Sequence, residues 1–179
     1  SNLSSLTFEE NPYLTEIRHV DEYSGYVYRN QFGNINTTCG LLTGTDVRTL
    51  MLPSSITHIG MCAFTNNALE NLIFEPTTTC TLCEYSFYNA SSLLSFKVTK
   101  NMVLNEYAFF QANLIDGLVF ADDCAAMRIP AHCFQQSKVG AVTFSDGVTY
   151  VGVEAFNATP NVSVLDWGGI VELDTGAFS

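Results

Sequence analysis

Residues 50–64 read Leu50-Met51-Leu52-Pro53-Ser54-Ser55-Ile56-Thr57-His58-Ile59-Gly60-Met61-Cys62-Ala63-Phe64. An aliphatic residue, Ile59, stands five places before Phe64, and a small one, Ala63, directly before it. The phrase returns as Leu82…Ser86-Phe87, Leu104…Ala108-Phe109, Ile129…Cys133-Phe134, Val151…Ala155-Phe156 and Leu173…Ala177-Phe178. The template also fits Leu3…Thr7-Phe8 and, less closely, Val27…Gln31-Phe32. The eight Phe positions are thus 8, 32, 64, 87, 109, 134, 156 and 178, spaced by 24, 32, 23, 22, 25, 22 and 22 residues.

A second phrase, aliphatic-x-x-aliphatic-x-apolar, falls between successive Phe residues. It reads Val47/Leu50/Leu52, Leu69/Leu72/Phe74, Leu93/Phe96/Val98, Ile115/Leu118/Phe120, Val139/Val142/Phe144 and Val162/Leu165/Trp167. Leu14/Ile17/His19 fits the phase with His in the third slot. Its last two positions alternate as one buried face of a strand does. A weaker apolar position, seven or eight before the Phe, is held by Ile56, Met102, Met127, Val148 and Ile170. A unit this short cannot bury its own apolar face, but stacked units cover one another. The expected fold is a β-rich repeat solenoid with about seven parallel strands on one face. Short strands or tight turns form the other side, and a column of Phe rings fills the space between.

In these phrases the chain resembles the BspA-like subfamily of leucine-rich repeat proteins. Leu50–Phe64 matches that unit nearly position by position, and Gly147-Val148-Thr149-Tyr150-Val151-Gly152-Val153-Glu154-Ala155-Phe156 almost as closely. The resemblance spans residues 1–179 as a single right-handed leucine-rich repeat array. It departs at His19, at Trp167 and after Phe32, which Val47 follows by fifteen residues in place of the usual five or six. It implies an extracellular or cell-surface protein used in adhesion to host matrix or to other cells. The chain opens with Ser1, shows no signal peptide, and has neither end closed by a polar capping repeat. That suggests a window of a longer array, or ends covered by something else.

Composition narrows the function. Hydrophobic residues are 47% of the chain and charged residues 14%. This is too apolar for disorder, and no apolar run is long enough to span a bilayer. Seven Lys and Arg against 18 Asp and Glu give a net charge of −11. Such a surface repels phosphate and speaks against nucleic-acid partners. No phosphate loop, dinucleotide glycine pattern or nucleophile elbow is present. The acid pairs Asp21-Glu22 and Asp122-Asp123 lack calcium-loop spacing. Neither a cofactor nor a metal site is expected, and no enzyme activity.

The cysteines are at 39, 62, 80, 83, 124 and 133. Cys133 takes the small core slot before its Phe, so a buried, reduced thiol is expected there. Cys80-Thr81-Leu82-Cys83 has metal or redox spacing, but no second pair or His cluster accompanies it. His58 and His132 fall at solvent-facing places. His19 sits in a slot that is apolar in most other units, either in a frayed end unit or at a functional site. Asn or Gln recurs after the Phe, at 11, 34, 66, 89, 113, 136 and 157, which reads as turn chemistry. Asn-x-Ser/Thr occurs at Asn2, Asn36, Asn89, Asn157 and Asn161.

Two surfaces could recognise a partner. Between the inward strand residues, one outward column reads Glu16, Thr49, Asn71, Ser95, Gly117, Ala141 and Val164. The next reads Arg18, Met51, Ile73, Lys97, Val119, Thr143 and Asp166. With Met51, Ile73 and Val119 beside small residues, this face suits a protein ligand, although β-branched residues also favour strands without any ligand. The second surface is a loop insertion at residues 33–46, on grounds that extra loops on a rigid scaffold often carry binding. The expected function is a non-enzymatic adhesin-type module that binds a host-matrix or cell-surface protein. The alternative is a spacer array that only projects another domain.

Overall fold

The computed structural model describes residues 3–8, 13–17, 40–75 and 79–179. Thirteen short strands and no helix occur among them. The aliphatic-x-x-aliphatic-x-apolar phrase forms one set: β2 (Thr49–Leu52), β4 (Asn71–Phe74), β6 (Ser95–Val98), β8 (Gly117–Phe120), β10 (Ala141–Thr143) and β12 (Ser163–Asp166). The segments before the Phe form the other: β1 (Glu16–Ile17), β3 (His58–Ile59), β5 (Cys80–Leu82), β7 (Met102–Leu104), β9 (Met127–Ile129), β11 (Val148–Val151) and β13 (Glu172–Leu173). All pairing is parallel and runs from one coil to the next, as in Leu50↔Leu72 and Phe96↔Leu118. The chain is therefore a parallel β-solenoid. Six strands, rather than about seven, make the main face among the described residues.

The Phe column is present as expected. Phe64, Phe87, Phe109, Phe134 and Phe156 are fully buried. Successive ring centroids are 5.3, 4.7, 5.0 and 4.9 Å apart, and Phe178 continues the stack 4.9 Å from Phe156. Ala63, Ser86, Ala108, Cys133, Ala155 and Ala177 are buried beside the rings, where a larger side chain would displace them. Rings from the strands, such as Phe96 and Phe144, meet the column edge-on. The backbone turns sharply around each ring. The residue two before it is left-handed at Cys62, Tyr85, Tyr107, His132, Glu154 and Gly176. The residue two after it is left-handed at Asn66, Asn89, Gln111, Gln136 and Ala158.

The first unit corrects the sequence reading. Ile17 pairs with Ile59 and Glu16 with His58, so Glu16 and Ile17 belong to the side before the Phe, not to the strand face. Phe8 is not a ring of the Phe column. The Leu3 carbonyl accepts from the Asp46 amide, as Arg48 accepts from Glu70 and Glu70 from Leu94 in later coils. Leu3–Phe8 therefore runs beside β2, and Leu6 and Phe8 pack on the core. The Phe slot of the next coil is filled by Leu42, which is fully buried. Thr45 donates to the Leu42 carbonyl at 2.9 Å, as Ser137 and Thr159 donate to Phe134 and Phe156. Phe32 and residues 33–39 lie outside the described residues. Residues 40–46 form a regular turn of the repeat.

Three outward positions also differ from expectation. Ile115 is 44% exposed while Leu114 is buried, because Gly117, at φ 135°, lets the chain re-enter the strand one residue late. Leu165 is 69% exposed. Val164 pairs with Val142 and packs on the core instead, and the register shift that follows, with Thr143 paired to Asp166, leaves Leu165 out of the ladder. Trp167 is half exposed but stacks on Phe144 at 6.3 Å.

Candidate functional site

The main face is not one sheet. β2 pairs with β4, and β6, β8, β10 and β12 pair in that order in a second sheet, but no ladder joins β4 to β6. Leu72 follows Phe64 by eight residues and Phe96 follows Phe87 by nine, a difference that recurs between Leu118 and Val142 without breaking the β8/β10 ladder. β4 and β6 meet at their entry, where Leu94 donates to the Glu70 carbonyl at 3.2 Å, and their ladder goes no further. A groove of about 360 Å³ lies there, lined by Thr49, Asn71, Leu72, Ile73, Ser95, Phe96 and Lys97. Leu72 and Phe74 are only partly buried in β4, while the matching Phe96 and Val98 of β6 are buried.

The expected strand-face residues divide accordingly. Thr49, Asn71, Ile73, Ser95 and Lys97 come together in the groove. Met51 and Val119, 53% and 42% exposed, flank it on β2 and β8. Thr143 and Asp166 are paired on β10 and β12, two coils further on. Glu16 lies on β1, in the sheet on the other side of the solenoid, and leaves this set. Arg18 and His19 lie outside the described residues. Arg48 and Glu70, at the entry to β2 and β4, form an ion pair beside the face.

Thr143 and Asp166 join a second hollow, of about 210 Å³, which sequence reasoning missed. Its walls are Asp122, Thr143, Phe144, Ser145, Asp146 and Asp166. Asp122 and Asp146 each stand two residues after a strand-ending Phe, Phe120 and Phe144. Stacking the coils brings them to one rim.

A third surface was also missed. The rings of Tyr85, Tyr107 and His132, each two residues before a Phe of the column, stack in turn at 5.0 and 4.7 Å. Tyr88 and Phe110 form a parallel pair beside them. The signal was a column at fixed offset from the Phe, hidden because its members are chemically mixed. Burial, then the carboxylates of Glu106, Glu154 and Glu84, raises the Tyr107 hydroxyl above its ordinary value. These rings spend their faces on one another, so this ridge reads as packing. Asn89 donates to the Asn66 side chain and Gln111 to Gln136. Part of the recurrent amide pattern thus links coils side chain to side chain. Asn67 does the turn work, bonding the Phe64 carbonyl at 2.7 Å.

Burial, then the neighbouring Cys83, pushes the Cys80 thiol up to about 12. Burial raises the Cys133 thiol as well. Both are protonated and poor nucleophiles. Asp174 is held below its ordinary value by the Thr175 amide and by the Tyr150 hydroxyl at 2.8 Å. Arg128 lies 3.6 Å above the Tyr150 ring. This group ties β9, β11 and β13 together. Among the described residues no three His, Cys, Asp or Glu side chains are placed to hold one metal ion.

Comparison with known proteins gives one family. The family model for the BspA type leucine rich repeat region matches residues 42–128 and 119–179, in six copies. Neither a curated protein nor a solved structure matches the chain. The matched stretch begins at Leu42, the residue that opens the Phe column.

Proposed function

Since the chain belongs to the BspA-type leucine-rich repeat family, whose arrays are commonly surface-associated, typically non-enzymatic and generally engaged in protein interaction, we propose that it is an extracellular recognition module of adhesin type. Its ligand is a protein of the host matrix or of another cell surface, seated on the strand face. The observation that carries this reading is the groove between β4 and β6. It places apolar Leu72, Ile73 and Phe96 beside Asn71, Ser95 and Lys97. An apolar centre with a polar surround is the anatomy of a protein interface. The face is not crowded with charge, and its exposed apolar residues, Met51, Ile73 and Val119, come from three different coils.

The test is binding of the array to coats of extracellular-matrix protein and to intact cells. Met51→Arg, Ile73→Glu and Val119→Arg add charge outward without touching the inward residues. Together they are expected to weaken binding about tenfold or more, because charge is disfavoured at an interface core. Replacing residues 33–39 by a short linker tests the insertion; residues 40–46 are spared because Leu42 belongs to the core. Binding unchanged by both edits would remove both surfaces as the recognition site. An array that binds no coat and no cell is the spacer of the alternative reading.

A further inference from the structure

We propose that the groove between β4 and β6 takes an extended stretch of the protein ligand in which an apolar side chain stands two residues from an aspartate or glutamate. This rests on the strand-face reading above and names the chemistry of the ligand there. The apolar side chain lies over Leu72, Ile73 and Phe96, and the carboxylate pairs with Lys97.

The charge on this part of the face decides the sign of the partner. Across β2, β4, β6 and β8, Lys97 is the one charged residue. The chain as a whole carries a net charge of −11, yet these four strands present a single charge, and it is positive. The cations nearest in the fold are answered from within the chain, Arg48 by Glu70 and Lys100 by Asp123, each partner one coil further on. Lys97 has no such answer among the described residues. It pairs in register with Val119 on the coil after it, and Ile73 holds the matching place on the coil before. A lysine so flanked lays its stem along apolar neighbours and keeps its ammonium outward.

The shape decides the rest. At about 360 Å³ the groove has the scale of one or two side chains, at the small end of ligand pockets. Leu72 is only partly buried there, although the matching Phe96 is buried, so apolar surface remains to be covered. Thr49, Asn71 and Ser95 open β2, β4 and β6 in one row across the coils. Among the described residues their side chains make no hydrogen bond, which leaves hydroxyl and amide groups for the backbone of a ligand. The Phe rings of the β4 and β6 coils are 5.3 Å apart, and side chains on one face of an extended chain recur about every 6.7 Å. A ligand lying along the solenoid axis therefore sets one side chain over Ile73 and the next on that face within reach of the Lys97 stem. An anionic polysaccharide would supply the charge and leave Leu72 uncovered.

The test uses the intact array and a short probe, acetyl-Ala-Phe-Ala-Glu-Ala-amide, titrated while backbone amide resonances are followed. The expected result is saturable shifts at Asn71, Ile73, Ser95 and Lys97 that weaken as salt is raised. The same peptide with Gln in place of Glu should bind about two- to fivefold more weakly, the size of one exposed ion pair. Lys97→Gln should remove that difference between the two peptides, a comparison made on one folded protein at a time. No saturable shift, equal binding of the two peptides, or a preference for Glu that survives Lys97→Gln would overturn the inference. So would a heparin disaccharide that produces the same shifts and displaces the peptide. Binding to matrix coats or cells that is lost in Ile73→Glu and unchanged in Lys97→Gln would sink this inference and leave the strand-face reading standing.

Discussion

The column of rings and the strand face are built from the same coils and differ in continuity. Around the Phe column, ring follows ring from Phe64 to Phe178 without a gap. On the strand face the ladder stops between β4 and β6. The ring holds its place whether the strand follows it by eight residues or by nine, and the change from nine to eight between β8 and β10 leaves Leu118 paired with Val142. Stability is therefore concentrated where stacking is unbroken. Ladders break on both sides, between β4 and β6 and between β7 and β9, and the open groove lies at the first of these breaks.

The largest effect should come from attacking the continuous side. Phe109→Ala removes a ring sandwiched between Phe87 and Phe134 and is expected to cost about 3–5 kcal/mol in chemical denaturation. A near-neutral result would break the comparison at its root. A smaller effect should come from the thiols. The Cys80 thiol is raised from an ordinary 9.0 to about 12, so the folded state holds its proton more tightly than the unfolded state. The stability this contributes is complete below pH 9.0 and is lost as pH rises from there toward about 12. Thiol labelling at pH 8 should accordingly be slow at Cys80 and Cys133 until the chain unfolds. Rapid labelling of Cys133 in the folded protein would show that the column opens locally. The smallest effect is expected on the strand face. Ile73→Glu alone should change stability by no more than about 0.5 kcal/mol. A loss several times larger would mean that the face carries load, and that the two sides are less distinct than the pairing suggests.

The period of the repeat was legible because Phe and its two partners recur in phase over many coils. The first coil was not. Leu3-x-x-Leu6-x-Phe8 satisfies both templates at once, the Phe turn and the strand, and only the bond from Asp46 to Leu3 decides between them. Leu42 was invisible because a Leu in the ring slot looks like any other Leu. Its neighbour Thr45, bonding back three residues, was the available sign. The strand face was readable at Met51, Ile73 and Val119, where alternation is strict. It failed at Val164 and Leu165, where Val164 packs on the core and the register shift that follows leaves Leu165 out of the ladder. The groove and the acidic hollow arise between coils. Their residues lie twenty or more apart in sequence and share no local pattern, so periodicity alone does not reveal them.

The left-handed residue two places before each Phe is Cys62, Tyr85, Tyr107, His132, Glu154 and Gly176 in successive coils. Sulfur, phenol, imidazole, carboxylate and bare hydrogen all occupy one backbone geometry. The turn is set by its neighbours above and below, not by the residue that makes it. That position behaves as a row of pegs at even pitch, each accepting a different fitting while the board stays flat. A designer could rewrite the chemistry of that edge peg by peg without retuning the backbone.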